Sequence, residues 1–207
     1  MEHFYHNIQG WFDFQVLYTA IVDTVADNST AHFVEVGSWK GTSSAYMAVE
    51  IINSGKSIRF DCVDTWQGSE EIQHKSDLYI QQNELYDHFI SNMKPVEGKY
   101  NAVRLASVAA SELYDDASLD FVFLDAGHRY EDITADIKAW QPKVKPGGIL
   151  AGHDYHYPDV TRAVNEAFFA SGIATDFVAT PQNKNTIYPY CFQIVQPSSW
   201  LVQIPKI

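Results

Sequence analysis

The chain has 207 residues and sets 14 lysines and arginines against 26 aspartates and glutamates, a net charge of −12. That charge excludes a general nucleic-acid binder, which needs a basic face for phosphates, and a content of 46% hydrophobic and 14% aromatic residues excludes a disordered chain. No apolar run reaches the roughly 20 residues that cross a bilayer, and Met1-Glu2-His3-Phe4 lacks the basic start of a secretory signal. The expectation is therefore a cytoplasmic chain, one domain over residues 1–207, with no membrane or nucleic-acid partner.

Phe14, Leu17, Tyr18, Ile21 and Val25 recur at helical spacing and predict a helix over residues 11–26, within an N-terminal helical segment 1–28. A short buried strand over 32–36 runs straight into Gly37-Ser38-Trp39-Lys40-Gly41-Thr42. A helix follows from Thr42, with Ala45, Ala48, Val49 and Ile52 on one stripe and Gly55 beyond its end. The next strand, 58–63, stops at Asp64. Residues 68–98 form a polar insertion with one helix near 85–93, and their length suits a lid; His74 and His88 are expected on its surface. A third strand over 102–105 precedes Ser107. The fourth, 119–124, ends at Asp125, and a helix covers 130–140, with Asp132 and Asp136 read as acids of its solvated face. Lys145-Pro146-Gly147-Gly148 reads as a turn before a fifth strand, 149–151, which ends near His153-Asp154. A helix over 159–170 and two strands, 175–179 and 190–195, complete the chain, the last two as a hairpin-like antiparallel edge. Cys62 and Cys191 lie in strands without metal spacing and read as buried thiols. Alternating strands and helices indicate an α/β, Rossmann-like three-layer sandwich around a mostly parallel sheet.

In such a sheet ligands bind at the carboxyl ends of the strands, near the point where strand order reverses. Glu35 and Gly37, Asp64, Ser107, Asp125 and His128, and His153 and Asp154 all fall at those ends. The string Glu35-Val-Gly37-Ser-Trp-Lys-Gly41 is a sharp strand-to-helix turn in which glycines permit close backbone approach. It is neither the G-x-G-x-x-G of dinucleotide enzymes nor a P-loop, which disfavours a diphosphate ligand. Asp64 can accept two hydrogen bonds from a ribose diol, and Trp66 can wall an adenine or fill the core.

Four blocks together resemble the class I S-adenosylmethionine-dependent methyltransferases. They are Glu35-Val-Gly-Ser-Trp-Lys-Gly41-Thr-Ser, Val63-Asp64-Thr-Trp66, Phe123-Leu-Asp125-Ala-Gly-His128-Arg-Tyr130 and Lys145-Pro-Gly-Gly148-Ile-Leu-Ala-Gly-His153-Asp154. The resemblance covers roughly residues 30–170 and is nearest to the stand-alone domains related to macrocin O-methyltransferases. It implies a seven-stranded sheet whose last strand is antiparallel. It also implies cofactor contacts from Glu35, Gly37, Ser38 and Gly41 at the amino-acid end, Asp64 and Trp66 at the nucleoside, Ala106 and Ser107 near the adenine, and Asp125.

Asp125, His128, His153 and Asp154 form a second constellation. Two acids at neighbouring strand ends can hold a divalent cation such as Mg²⁺, and a histidine admits Mn²⁺, Fe²⁺ or Zn²⁺ as well. The expected ligands are Asp125, Asp154 and His153. Without a metal, His128 or His153 is the candidate general base. His156, with Tyr155 and Tyr157, either lines an acceptor pocket or forms a surface turn. The expected reaction is O-methylation of a small molecule or sugar hydroxyl by a chain that forms a homodimer. A non-catalytic cofactor-binding protein and another nucleotide-dependent enzyme are the alternatives.

Overall fold

The computed structural model describes residues 1–69, 72–168, 177–179, 192–195 and 198–205. Helix α1 (Gln15–Thr24) leads into β1 (Thr30–Val36), α2 (Thr42–Ser54) and β2 (Ser57–Asp64). The insertion supplies two single turns, α3 (Ile72–Lys75) and α4 (Leu78–Gln81), and a longer helix, α5 (Leu85–Met93). Then come β3 (Asn101–Arg104), α6 (Ser107–Ser111), β4 (Leu119–Leu124), α7 (Tyr130–Trp140), β5 (Val144–Gly152) and α8 (Pro158–Phe168). The strands β6 (Phe177–Ala179), β7 (Phe192–Val195) and β8 (Ser199–Gln203) follow.

The described strands form one sheet in the order β3-β2-β1-β4-β5-β8-β7-β6. All neighbours run parallel except those of β8, which is antiparallel to both β5 and β7. Strand order reverses between β1 and β4, so their carboxyl ends part and leave a crevice.

The side-chain period of two sorts each central strand onto two cores. Phe33 of β1 and Phe121 and Phe123 of β4 face a layer built by α1, α2 and α5. Val34 and Val36, with Val122 and Leu124, face the layer of α7 and α8, where Ile133, Ile137, Trp140, Val160 and Val164 pack. Both faces are covered, which is why these strands read as continuous apolar runs.

The architecture is the expected Rossmann-like one, with eight described strands instead of seven. The extra strand is β8, whose Trp200-Leu201-Val202 pairs antiparallel with β5. Its presence corrects the reading of the tail. β6 and β7 run parallel, and the hairpin is formed by β7 and β8, with Val195 opposite Ser199. Residues 180–191, including Cys191, lie outside the described residues, as do 169–176; Cys62 is fully buried. Lys145-Pro146-Gly147-Gly148 is likewise no free turn. It belongs to β5 at a register shift, tied to the end of β8 by Gly147 N–H to Ile204 O (2.7 Å) and Ile204 N–H to Gly148 O (2.9 Å). The insertion does more than cover a site, because Leu85, Phe89, Met93 and Val96 are fully buried against α2 and the sheet. Among the described residues no helix is long and apolar enough to cross a membrane.

One buried acid braces the sheet away from the crevice. Asp61 of β2 is fully buried and accepts from Asn101 Nδ2 (2.7 Å), Tyr114 Oη (3.1 Å) and Arg59 Nη2 (3.1 Å), with His32 Nε2 at 2.8 Å. Burial pushes its pKa up, but hydrogen bonds from His32, Asn101 and Arg59 outweigh that and bring it to about 2. A carboxylate whose folded pKa lies below its unfolded value stabilises the fold above the unfolded pKa, and that stability is lost as pH falls through the folded one. Asp61 is therefore expected to contribute about 2 kcal/mol at neutral pH. In urea unfolding, the gap between wild type and Asp61→Asn should close as pH drops from about 4 to about 2; a gap constant with pH would refute this.

Candidate active site

The crevice is shaped by what happens where β1 ends. Gly37 N–H donates to Val63 O (2.8 Å) and Asp125 N–H to Val36 O (2.8 Å), carrying the ladder one residue past each strand. The chain then reverses through Gly37 (φ +97°), Trp39 (φ +42°) and Gly41 (φ +92°), the last being the residue before α2. A Cβ on Gly37 would lie 2.0 Å from the Asp125 carbonyl oxygen, so only glycine lets the loop pass β4 so closely. Asp64 locks the arrangement from β2. Its carboxylate accepts from Trp39 N–H (2.8 Å) and Trp66 N–H (2.7 Å). Burial raises the Asp64 pKa and these amides pull it back.

Two contiguous clefts open at the strand ends, sharing Gly37, Trp39, His74, Asp125 and Ala126 as walls. The first, of about 650 Å³ including its open mouth, lies over β1, β2 and β3 and is lined by Val36, Val63, Asp64, Leu105 and Ser107. The second, of about 1090 Å³ on the same measure, contains Ser38, His128, His153, Asp154, His156 and Tyr157. The structure thus brings Gly37, Ser38, Asp64, Ser107, Asp125, His128, His153 and Asp154 to one crevice.

Four predicted residues stand elsewhere. Glu35 is 1% exposed beneath the loop, where its carboxylate accepts from Tyr18 Oη (2.7 Å) and Ser44 Oγ. Burial raises its pKa and these hydroxyls oppose the rise. It lines neither cleft and acts as a buried brace. Trp66 is a core residue, 1% exposed and packed on Tyr86 and Phe89, with its indole N–H given to Trp39 O (2.8 Å). Ala106 is exposed before α6 and lines neither cleft, although its neighbours Leu105 and Ser107 do. Gly41 shapes the loop and packs against Phe89 and Met93 without lining either cleft.

The acids and histidines of the second cleft divide their work. One carboxylate oxygen of each of Asp125 and Asp154 and a nitrogen of His128 lie within 4.8 Å of one another. His128 Nε2 is 2.9 Å from Asp154 Oδ2 and 3.7 Å from Asp125 Oδ1. His128 therefore takes the place in the candidate metal group that His153 was expected to fill. His153 is 8% exposed, with Nε2 held by Asp13 Oδ1 (2.9 Å) and Ser198 Oγ (2.9 Å) and Nδ1 facing Asp154 (3.5 Å) and Asp125 (3.6 Å). Burial lowers its pKa, but those two carboxylates raise it to about 11. At neutral pH it keeps its proton, which corrects its assignment as general base: it is a fixed cation between acids. Burial pushes the Asp154 pKa up, and the two histidines drive it well below the usual carboxylate range.

Several cleft residues carried no clear signal in the sequence. Trp11 and Asp13 precede α1, which starts at Gln15 and not at residue 11, and Ser198 stands in the tail. His74, expected at the surface, lines both clefts with its ring stacked on Trp39 (5.5 Å, 29°), while His88 is half-buried and stacks on Tyr79. His156 and Tyr157 line the second cleft, but Tyr155 packs on the core and donates to Asn165 Oδ1 (2.8 Å). Asp136 is not on a solvated face: it is 5% exposed, and burial raises its pKa to about 6. A glycine loop between strand ends, an acid at the end of β2 and a polar crevice beyond β4 and β5 coincide with one family in sequence. The sequence profile of the methyltransferase domain family matches residues 34–155.

The chain belongs to the methyltransferase domain family. S-adenosylmethionine is the cofactor that goes with it. Among solved structures the O-methyltransferase NovP aligns with a TM-score of 0.64 at 16% identity, over 92% of this chain and 79% of that one. The calicheamicin methyltransferase CalS11 aligns with a TM-score of 0.58 at 13% identity, over 90% and 75%. A methyltransferase from Geobacter sulfurreducens aligns with a TM-score of 0.54 at 12% identity, over 92% and 76%. These likenesses concern the fold. Uncharacterized protein y4gI of Sinorhizobium fredii is 26% identical over 121 residues, 58% of this chain; the chain spans 13% of the length of that curated relative.

The rim of the crevice is tied together by a buried lysine. Lys40, 1% exposed, donates through Nζ to Gln9 Oε1 (2.8 Å) and to Asp77 Oδ2, and lies over the rings of Trp39 (4.6 Å) and Tyr79 (5.2 Å). Asp77 in turn caps α4 through Tyr79 N–H (2.9 Å). The N-terminal segment, the loop and the insertion are thereby tied at one point. Removing one partner leaves a buried charge unpaired, so Lys40→Met should cost about 3 kcal/mol, and adding Asp77→Asn should restore part of it in urea unfolding. Full additivity of the two substitutions would argue against the tie. Gly37→Ala should also cost about 3 kcal/mol, read as a lowered urea midpoint with an unchanged slope.

Proposed function

We propose that this chain transfers the methyl group of S-adenosylmethionine to a hydroxyl oxygen of a small acceptor, with a divalent cation held by Asp125, His128 and Asp154. The observation that carries this is the convergence of those three side chains beside the wall shared by the two clefts. The first cleft is the donor site in this reading. Its chemistry suits a nucleoside: Asp64 keeps lone pairs for ribose hydroxyls beyond those given to Trp39 and Trp66, and Val36, Val63 and Leu105 offer an apolar wall to a base. Gly37 and Ser38 border the amino-acid end, and Asp125 stands between donor and acceptor. The relatives in structure support oxygen as the nucleophile. NovP is an O-methyltransferase, and CalS11 is a TDP-rhamnose 3'-O-methyltransferase of calicheamicin biosynthesis.

When bound, S-adenosylmethionine supplies a methyl group on a sulfonium, open to in-line attack, and a divalent cation supplies Lewis acidity that lowers the pKa of a hydroxyl. The two carboxylates suit Mg²⁺ or Mn²⁺, and the imidazole of His128 admits Fe²⁺ or Zn²⁺ as well. The protein's own task is placement: Asp125 and Asp154, held by the His153 cation, fix where the acceptor hydroxyl stands against the donor cleft. With the donor bound, the acceptor oxygen would bond to the methyl carbon as the carbon–sulfur bond of the sulfonium breaks, and the hydroxyl proton would pass to solvent at the open cleft. A second reading rests on the 2.9 Å contact of His128 with Asp154: without a metal, Asp154 orients His128 as the base that takes that proton.

Calorimetry of S-adenosylhomocysteine with and without Mg²⁺ or Mn²⁺ tests both readings. Micromolar binding is expected, and its absence in every metal condition would remove the methyltransferase reading. Asp154→Ala should leave that affinity within about threefold and lower turnover at least about a hundredfold; unchanged turnover would exclude this cluster from the chemistry.

A further inference from the structure

The lining of the second cleft states what kind of acceptor it fits. Asp13, Asp125 and Asp154 face it, and among the described residues no lysine or arginine lines either cleft. Two basic residues that adjoin cleft residues in sequence are engaged elsewhere. Lys40 is buried against Asp77 and Gln9, and Arg129 pairs with Asp132 at 2.8 Å. His153 has both ring nitrogens facing Asp13, Ser198, Asp125 and Asp154, so neither is turned toward an acceptor. An anionic acceptor would therefore meet carboxylates and, among the described lining residues, no guanidinium or ammonium group to pair with. A divalent cation between Asp125 and Asp154 would have its charge offset by those two acids, with Asp13 still facing the cleft.

The aromatic residues supply the complement. Trp66, Trp140 and Trp200 are buried to 1% exposure or less, yet Trp11 stands 59% exposed at the second cleft with its ring stacked on Trp39 (4.9 Å, 18°). Tyr157, 46% exposed, lies 5.7 Å from the ring of His128. An indole backed by a second indole, and left open to solvent at a cleft, is a platform for a ring.

We propose that the second cleft takes a ring-bearing acceptor without phosphate, carboxylate or other anionic group, its ring laid on Trp11. This rests on the methyl-transfer reading above and deepens it. It also sets this chain apart from enzymes whose acceptor is a nucleotide sugar.

The test offers S-adenosylmethionine with pairs of acceptors, phenyl glycosides and simple phenols each beside a phosphate- or nucleotide-bearing counterpart, and follows release of S-adenosylhomocysteine. The uncharged members should be turned over with at least tenfold higher kcat/KM. Trp11→Ala should raise their KM at least fivefold without changing calorimetric affinity for S-adenosylhomocysteine. His156→Arg, which puts a cation at the exposed edge of the cleft, should narrow or reverse the preference. A preference of the wild type for the anionic members, an unchanged KM in Trp11→Ala, or turnover of neither series while S-adenosylhomocysteine binds normally would overturn the acceptor class. Failure to bind S-adenosylhomocysteine would instead count against methyl transfer itself.

Discussion

Everything in the crevice depends on how closely the loop after β1 passes the end of β4. The contact is between backbones, at a position where a single added carbon would collide with the Asp125 carbonyl. Because β1 and β4 sit at the point where strand order reverses, this one approach fixes the floor of both clefts and the starting point of Asp125. Asp64 makes the same region rigid from the β2 side by taking two loop amides. The first cleft, the donor site of the proposed reading, is therefore largely a matter of backbone geometry, and side chains contribute mostly by what they leave open.

The second cleft, the acceptor side of the proposed reading, is governed by charge. Asp125, Asp154 and Asp13 surround His153, and the first two carboxylates raise its pKa against the effect of its burial. Such a histidine has little capacity to accept a proton, which leaves His128 as the imidazole available to a metal or a substrate. Two histidines 25 positions apart in the chain thus serve different ends because one is buried between carboxylates and the other is a quarter exposed.

These two halves were unequally legible in the sequence. The donor half announced itself because its parts lie at consecutive strand ends, where apolar runs stop at Gly37, Asp64 and Asp125, and buried parallel strands are the elements that hydrophobic pattern marks best. Helices with a clear apolar stripe, such as α5 and α7, were bounded from the same pattern. The pattern does not reveal which way a polar side chain turns. Glu35 points beneath the sheet's end to Tyr18 and Ser44, and Trp66 falls into the core by way of a left-handed turn (φ +52°). β8 was missed because three apolar residues between serines and a glutamine carry no periodicity; its partner β5 gives it a place, not its own sequence.

The acceptor half escaped for a physical reason of its own. His153 is oriented by Asp13, 140 positions earlier, and by Ser198, 45 positions later, so both far segments must dock before its ring is set. No local signal records such a meeting. The Lys40 tie shows the same logic at the other rim, where Gln9 and Asp77 join the loop across 31 and 37 positions. In the proposed reading, a site whose donor side comes from the strand ends of a sheet, and whose acceptor side comes from segments around it, can change its substrate without disturbing its cofactor. On this view the chemistry of the acceptor is written in the N-terminal segment, the insertion and the tail, and the exposed Trp11 beside a cluster of carboxylates is where it is most directly read.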